Sequence, residues 1–176
     1  EGRFGGEGFR RGYALVQVER AARGAMLLEA QGHSAVYVNG RLRTGNPYRN
    51  GYWRMPVLLR EGQNELLFHV RRGGFHAQLV EPRGSVMLNV DDATLPDLVA
   101  GEAADAQGAV IIINASESPL THTSLTVEMP GAAETTVAVP RVPAMSVRKV
   151  PFPIRMSDPG EAETVSVDLT VDDGDG

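Results

Sequence analysis

Asn39-Gly40 lies between two short runs of β-prone residues, 34–38 and 41–44, and it constrains the fold more tightly than any other pair in the chain. Both residues tolerate positive φ, which a two-residue type I′ turn requires at its central positions, so the pair predicts a tight hairpin. Similar punctuation surrounds it. Residues 13–18 alternate, with Tyr13, Leu15 and Gln17 on one face and Ala14, Val16 and Val18 on the other. Gly24 opens a run at 25–30 that ends at Gly32. A polar loop at 46–51 precedes a run at 52–59, a second turn at 60–64 leads into 65–70, and Gly73-Gly74 precedes a last strand at 75–80. Roughly seven short strands at such spacing predict a sandwich or barrel. With 20 glycines and 11 prolines, long helices are not expected.

The remainder of the chain is also β-patterned. Strands are predicted at 109–114, 123–129, 135–139 and 148–154, the last at a sheet edge because of its prolines. A final one at 164–171 turns Val165, Val167, Leu169 and Val171 inward. About six strands without a cysteine pair suggest a second sandwich lacking a disulfide. The two halves differ sharply in charge: residues 1–84 hold 13 arginines and 7 carboxylates, a net of +6, whereas residues 85–176 have a net of −11. Nine of the ten aromatics fall in the first half, and Phe152 stands alone in the second. Such a shift predicts two domains, 1–84 and 85–176, joined at 81–84 or at 91–96. The tail 172–176 reads as a polar linker, and a chain ending in a linker is expected to come from a longer one.

Short strings in the two halves carry two resemblances. Ala35-Val36-Tyr37-Val38-Asn39-Gly40, then Pro56-Val57-Leu58-Leu59, then Glu61-Gly62-Gln63-Asn64-Glu65-Leu66 resemble the galactose-binding-like jelly roll, the sugar-binding domain of β-galactosidases and β-glucuronidases, over about residues 12–80. The segment is short for that module, so an N-terminal strand pair is expected to be missing or reduced. Asn114-Ala115-Ser116, Pro143-Ala144 and Val150-Pro151-Phe152, set between strands, resemble bacterial adhesion-type immunoglobulin-like modules over 97–172. The resemblances imply an all-β chain, jelly roll then immunoglobulin-like spacer. They further imply a non-catalytic accessory region of a larger bacterial hydrolase, secreted or in the periplasm or cell envelope, with a catalytic domain of the parent chain as partner. In many such enzymes the jelly roll is a structural flank that binds no sugar.

The absence of cysteine removes thiol nucleophiles, disulfides and cysteine-based zinc sites. No apolar run approaches the roughly 18 residues of a membrane helix, so no membrane span is expected. The formal charge of −5 argues against a nucleic-acid partner for the whole chain. His69 and His76, on successive strands, could face each other, but a third ligand is missing, so neither metal nor cofactor is expected. In Gly32-His33-Ser34 the adjacent serine and histidine would point to opposite faces, which forbids a Ser–His pair. The acidic residues of the second half, such as Asp91-Asp92, Glu161 and Glu163, read as turns and solvated surface, and no catalytic residue is assigned. The cluster Asp172-Asp173-Gly174-Asp175 has oxygen ligands for calcium but lacks the closing Glu of an EF-hand loop.

One group remains as a candidate carbohydrate site: Arg43, Asn46, Tyr48, Tyr52, Trp53 and Arg54. Aromatic faces stack on the apolar side of sugar rings, and arginine and asparagine donate to hydroxyls. The competing reading places Trp53 or Tyr52 in the core, since one of two adjacent strand residues must face it. A third function class is a protein-interaction module in which the charge asymmetry drives docking.

Overall fold

The computed structural model describes the backbone of residues 3–6 and, in full, residues 11–48, 50–71, 74–157 and 164–174. Arg49, Gly73, Glu161, Glu163, Asp175 and Gly176, which belong to segments read above as loops, surface or linker, lie outside the described residues. Every regular element described is a strand. The chain divides into two compact units, Glu1–Ser85 and Val86–Gly176.

The first unit contains β1 (Arg3–Gly6), β2 (Gly12–Arg20), β3 (Gly24–Gln31), β4 (His33–Val38), β5 (Arg41–Asn46), β6 (Arg54–Leu59), β7 (Gly62–Val70) and β8 (Phe75–Val80). They form two four-stranded antiparallel sheets, ordered β1-β8-β3-β6 and β2-β7-β4-β5. Leu28, Val57, Leu59 and Ala77 from the first sheet, and Val36, Leu66, Phe68 and Val70 from the second, are at most 1% exposed and form a sandwich core. β1, a strand not expected from the sequence, adds to the free side of β8.

The predicted hairpin is present. Asn39 (φ 49°) and Gly40 (φ 78°) both sit in the left-handed region, as a type I′ turn demands. The second turn is shorter than expected. Residues 60 and 61 carry the chain from β6 in one sheet to β7 in the other, Gly62 takes a φ of 78°, and β7 already pairs with β2 from Gly62 onward. The two turns are clasped together. Asn39 Nδ2 donates to Asn64 Oδ1 (2.8 Å), the Glu65 amide donates to Asn39 Oδ1 (2.9 Å), and the Asn39 amide donates to the Glu65 carbonyl (2.8 Å).

A bulge at Ser34 interrupts the pairing of β4 with β7 between His33 and Ala35. Gly45, opposite on β5, makes room for it: a Cβ there would lie 2.3 Å from the Ser34 carbonyl carbon and 2.5 Å from the Ala35 nitrogen. The bulge puts the Ser34 hydroxyl on the outer face of the sheet, where it meets His69.

The second unit contains β9 (Val86–Thr94), β10 (Ala104–Asn114), β11 (Ser124–Glu128), β12 (Thr135–Ala138), β13 (Ser146–Met156) and β14 (Asp168–Asp172). They form two three-stranded sheets, β13-β10-β9 and β12-β11-β14. Val110, Ile112, Leu125, Val127, Val150, Phe152 and Ile154 belong to the core between them. Phe152 fills the space above Gly108, its cross-strand partner, where a Cβ would come within 2.5 Å of the ring. β13 is an edge strand, as its Pro151 and Pro153 require.

β9 corrects the sequence reading. Asp91 and Asp92, expected in a turn, lie on this strand, and Lys149 Nζ pairs with Asp92 Oδ1 at 3.3 Å. Exposed positions of a strand tolerate carboxylates when a cation lies nearby. The last strand is shorter than expected, beginning at Asp168, although Val165 is half-buried in step with Val167, Leu169 and Val171.

Gly45→Ala provides the check on the bulge. Its Cβ meets backbone atoms that cannot rotate aside, so the variant is expected to lose about 2 kcal/mol or more in denaturant unfolding. Unchanged stability would contradict the close approach of β5 to Ser34.

Candidate functional site

The six residues of the sequence-derived candidate site go to different places. Asn46 is buried and braces its own loop: Nδ2 donates to the Ala30 carbonyl and to Asn50 Oδ1 (both 3.3 Å), while Oδ1 accepts from the Tyr48 amide (3.1 Å). Arg43 pairs in register with buried Val36, and its Nη2 donates to the Pro56 carbonyl of the opposite sheet at 3.4 Å. Burial, with Arg41 as a lesser cause, lowers its pKa from the ordinary arginine value. Arg54 Nε donates to Glu29 Oε1 at 2.9 Å, and Gln78 donates to the other oxygen of that carboxylate. Tyr48 and Tyr52 are exposed.

Trp53 is half-buried, its ring meeting His33 edge-on at 5.1 Å. His33 is fully buried, and Phe68 and Phe75 complete an aromatic surround at 5.4 and 6.4 Å. Neither ring nitrogen of His33 has a hydrogen-bond partner among the described residues. Burial of the ring without a counter-charge pulls its pKa from 6.5 to about 4. The tryptophan thus helps to close a core around a neutral histidine, a role visible in the sequence only as one option for Trp53.

The other histidines are dispersed. His69 is on β7 and His76 on β8, strands of different sheets, so the two do not face each other across a ladder. Among the described residues no three metal-ligating side chains cluster. Ser34 does pair with a histidine, but with His69: its Oγ lies 3.0 Å from Nδ1 and donates to the His69 carbonyl at 3.2 Å. Sequence adjacency points only to His33, and the Ser34–His69 pair is invisible there because the Ser34 bulge and the β4–β7 register are non-local.

The outer face of the β2-β7-β4-β5 sheet is where exposed side chains converge. Register places Leu15, Leu67, Tyr37 and Leu42 in one row across all four strands. Leu15 is 57% exposed and Leu42 62%, and Tyr37 is also exposed. The next row begins with Tyr13, stacked on His69 with ring centroids 4.9 Å apart. Beyond it, at the end of the β2–β7 ladder, a cleft of about 450 Å³ is lined by Arg11, Gly12, His69, Val70 and Arg71.

No protein-family model matches the chain, and no curated protein matches it. Among solved structures it overlays on a GH2 β-galacturonidase from Eisenbergiella tayi bound to galacturonate, with 18% identity and a TM-score of 0.49, covering 94% of this chain and 35% of that one. A GH2 β-galacturonidase from the same organism bound to glycerol gives 15% identity and a TM-score of 0.43, with coverages of 93% and 34%. A β-D-mannosidase from Dictyoglomus thermophilum gives 12% and 0.40, with coverages of 90% and 27%. The chain therefore spans about a third of the length of these similar enzymes.

The His33 environment has a pH signature. Above pH 6.5 the ring is neutral in both folded and unfolded chains. As pH falls, the unfolded chain takes up a proton that the folded one refuses, so stability drops by about 1.4 kcal/mol per pH unit until about pH 4. Over that window the wild type is expected to lose about 3 kcal/mol more than a His33→Leu variant. Parallel pH profiles for the two proteins would contradict the assignment.

Proposed function

We propose that the chain is a non-catalytic β-sandwich region of a glycoside hydrolase, secreted or held in a bacterial cell envelope. In this reading the galactose-binding-like first unit seats another domain of the parent enzyme, and the second, immunoglobulin-like unit acts as a spacer. The observation that carries it is the cross-strand row Leu15, Leu67, Tyr37 and Leu42 on the outer face of one sheet. Single exposed apolar residues are ordinary, but a row spanning four strands offers a flat, continuous surface. Covering Leu15 and Leu42 would recover about 1–2 kcal/mol each. The contact is apolar, so it differs from docking driven by charge asymmetry. The glycoside-hydrolase assignment draws on the turn strings around Asn39-Gly40 and Gly62-Gln63-Asn64.

The test combines activity with the surface. The purified chain is expected to give no turnover on 4-nitrophenyl β-galacturonide or β-mannoside, and Leu15→Lys with Leu42→Lys should leave its stability within about 0.5 kcal/mol per site. The same double variant in the full-length hydrolase should loosen the first unit, read as faster limited proteolysis at its boundary. Hydrolysis by the isolated chain at rates of about 1 s⁻¹ or more would overturn the non-catalytic reading. Unchanged proteolysis would overturn the docking face.

A further inference from the structure

We propose that the cleft at the end of the β2–β7 ladder binds a carboxylate-bearing saccharide, with Arg11 and Arg71 holding the carboxylate and Tyr13, stacked on the lining residue His69, offering its exposed face beside the cleft. Gly12 pairs with Val70 in register. Arg11 precedes Gly12 and Arg71 follows Val70, so the antiparallel ladder delivers the two arginines side by side at one end of the sheet. Both are exposed cleft-lining residues, and neither is engaged by a carboxylate among the described residues. The nearest carboxylate along β7 is Glu65, four residues from His69 and therefore about 13 Å away along the strand. A pair of guanidinium groups without a counter-charge among the described residues favours a planar anion, because each fork can donate two parallel hydrogen bonds to a carboxylate.

The rest of the cleft suits a sugar. Gly12, at a φ of 134°, leaves one wall without a side chain. One face of Tyr13 stacks on His69, with an interplanar angle of 19°, while the residue as a whole remains 62% exposed. Ser34 holds the imidazole by Nδ1, which leaves Nε2 without a protein partner among the described residues and able to exchange a hydrogen bond with a hydroxyl. The volume, about 450 Å³, falls in the range of small-ligand sites. A polyanion such as nucleic acid would need a longer basic track along the surface, whereas this pair of arginines marks a single anionic group.

None of the described residues lining the cleft belongs to the loop containing Tyr48 and Trp53, and the test is independent of whether the apolar row docks a domain. Titration calorimetry of the whole chain would use galacturonate and its short oligomers, the matching neutral galactose series, and inorganic phosphate. Binding of the acidic series is expected, at least tenfold tighter than the neutral series. Arg11→Ala with Arg71→Ala should weaken it at least tenfold, and Tyr13→Ala should weaken it without changing the preference for acid over neutral sugar. Both arginines are exposed, so circular dichroism of the variants should match wild type, and Arg23→Ala with Arg41→Ala, which removes the same charge elsewhere, should leave binding unchanged. Equal affinity for the neutral series, equal affinity for phosphate, or no binding of the acidic series would each overturn the proposal.

Discussion

The carboxamide of Asn64, fully buried, uses all of its hydrogen-bonding capacity to hold two turns in place. Nδ2 donates to the carbonyls of Arg60 (2.8 Å) and Gly62 (3.0 Å), and Oδ1 accepts from the Arg60 amide (2.9 Å) and Asn39 Nδ2 (2.8 Å). Two donors and two acceptor positions are what an amide side chain can offer. Removing it would leave several part-buried polar groups without their partner at once, each worth about 1 kcal/mol. Because Asn39 sets the β4–β5 hairpin and Gly62 starts β7, this bridge ties together the sheet whose outer face carries both the apolar row and the arginine-lined cleft.

The second unit repeats the strategy with another asparagine. Asn114, also fully buried, donates to the carbonyls of Ser118, Val142 and Pro143 at 2.8, 3.2 and 3.0 Å and accepts from the Ser116 amide and hydroxyl. The sequence Asn114-Ala115-Ser116 fits a glycosylation acceptor, yet its amide is enclosed by this network and unavailable to a transferase. In both units a polar side chain does internally what a disulfide or a larger core would otherwise do, which fits a cysteine-free chain of short strands.

The strands that the sequence reveals are those whose signals are local. Asn39-Gly40 predicts its hairpin because the turn chemistry resides in two adjacent residues, and the alternation in 13–18 separates the two faces of β2 without showing that the one with Tyr13 and Leu15 is the exposed one. β9 is missed because Asp91-Asp92 carries turn-like composition, whereas its place in a sheet depends on partners such as Met87↔Ile113 far along the chain. The candidate site shows the same division. Tyr48 and Tyr52 are exposed, but Asn46, Arg43 and Arg54 find partners at Ala30, Pro56 and Glu29, which no local pattern indicates. The pairing of Arg11 with Arg71 lies equally beyond local reading, since 60 positions separate them and only the β2–β7 register unites them.

Asn39 and Asn64, the residues that carry the likeness to sugar-binding modules, therefore act within the fold, and surface chemistry is assigned to the face they support. A double-mutant cycle of Asn39→Ala and Asn64→Ala, followed by equilibrium unfolding, measures that statement directly. The two substitutions are expected to couple by about 1–2 kcal/mol, because either one removes the shared hydrogen bond. Additivity to within about 0.3 kcal/mol would contradict it and show that the two turns are held independently.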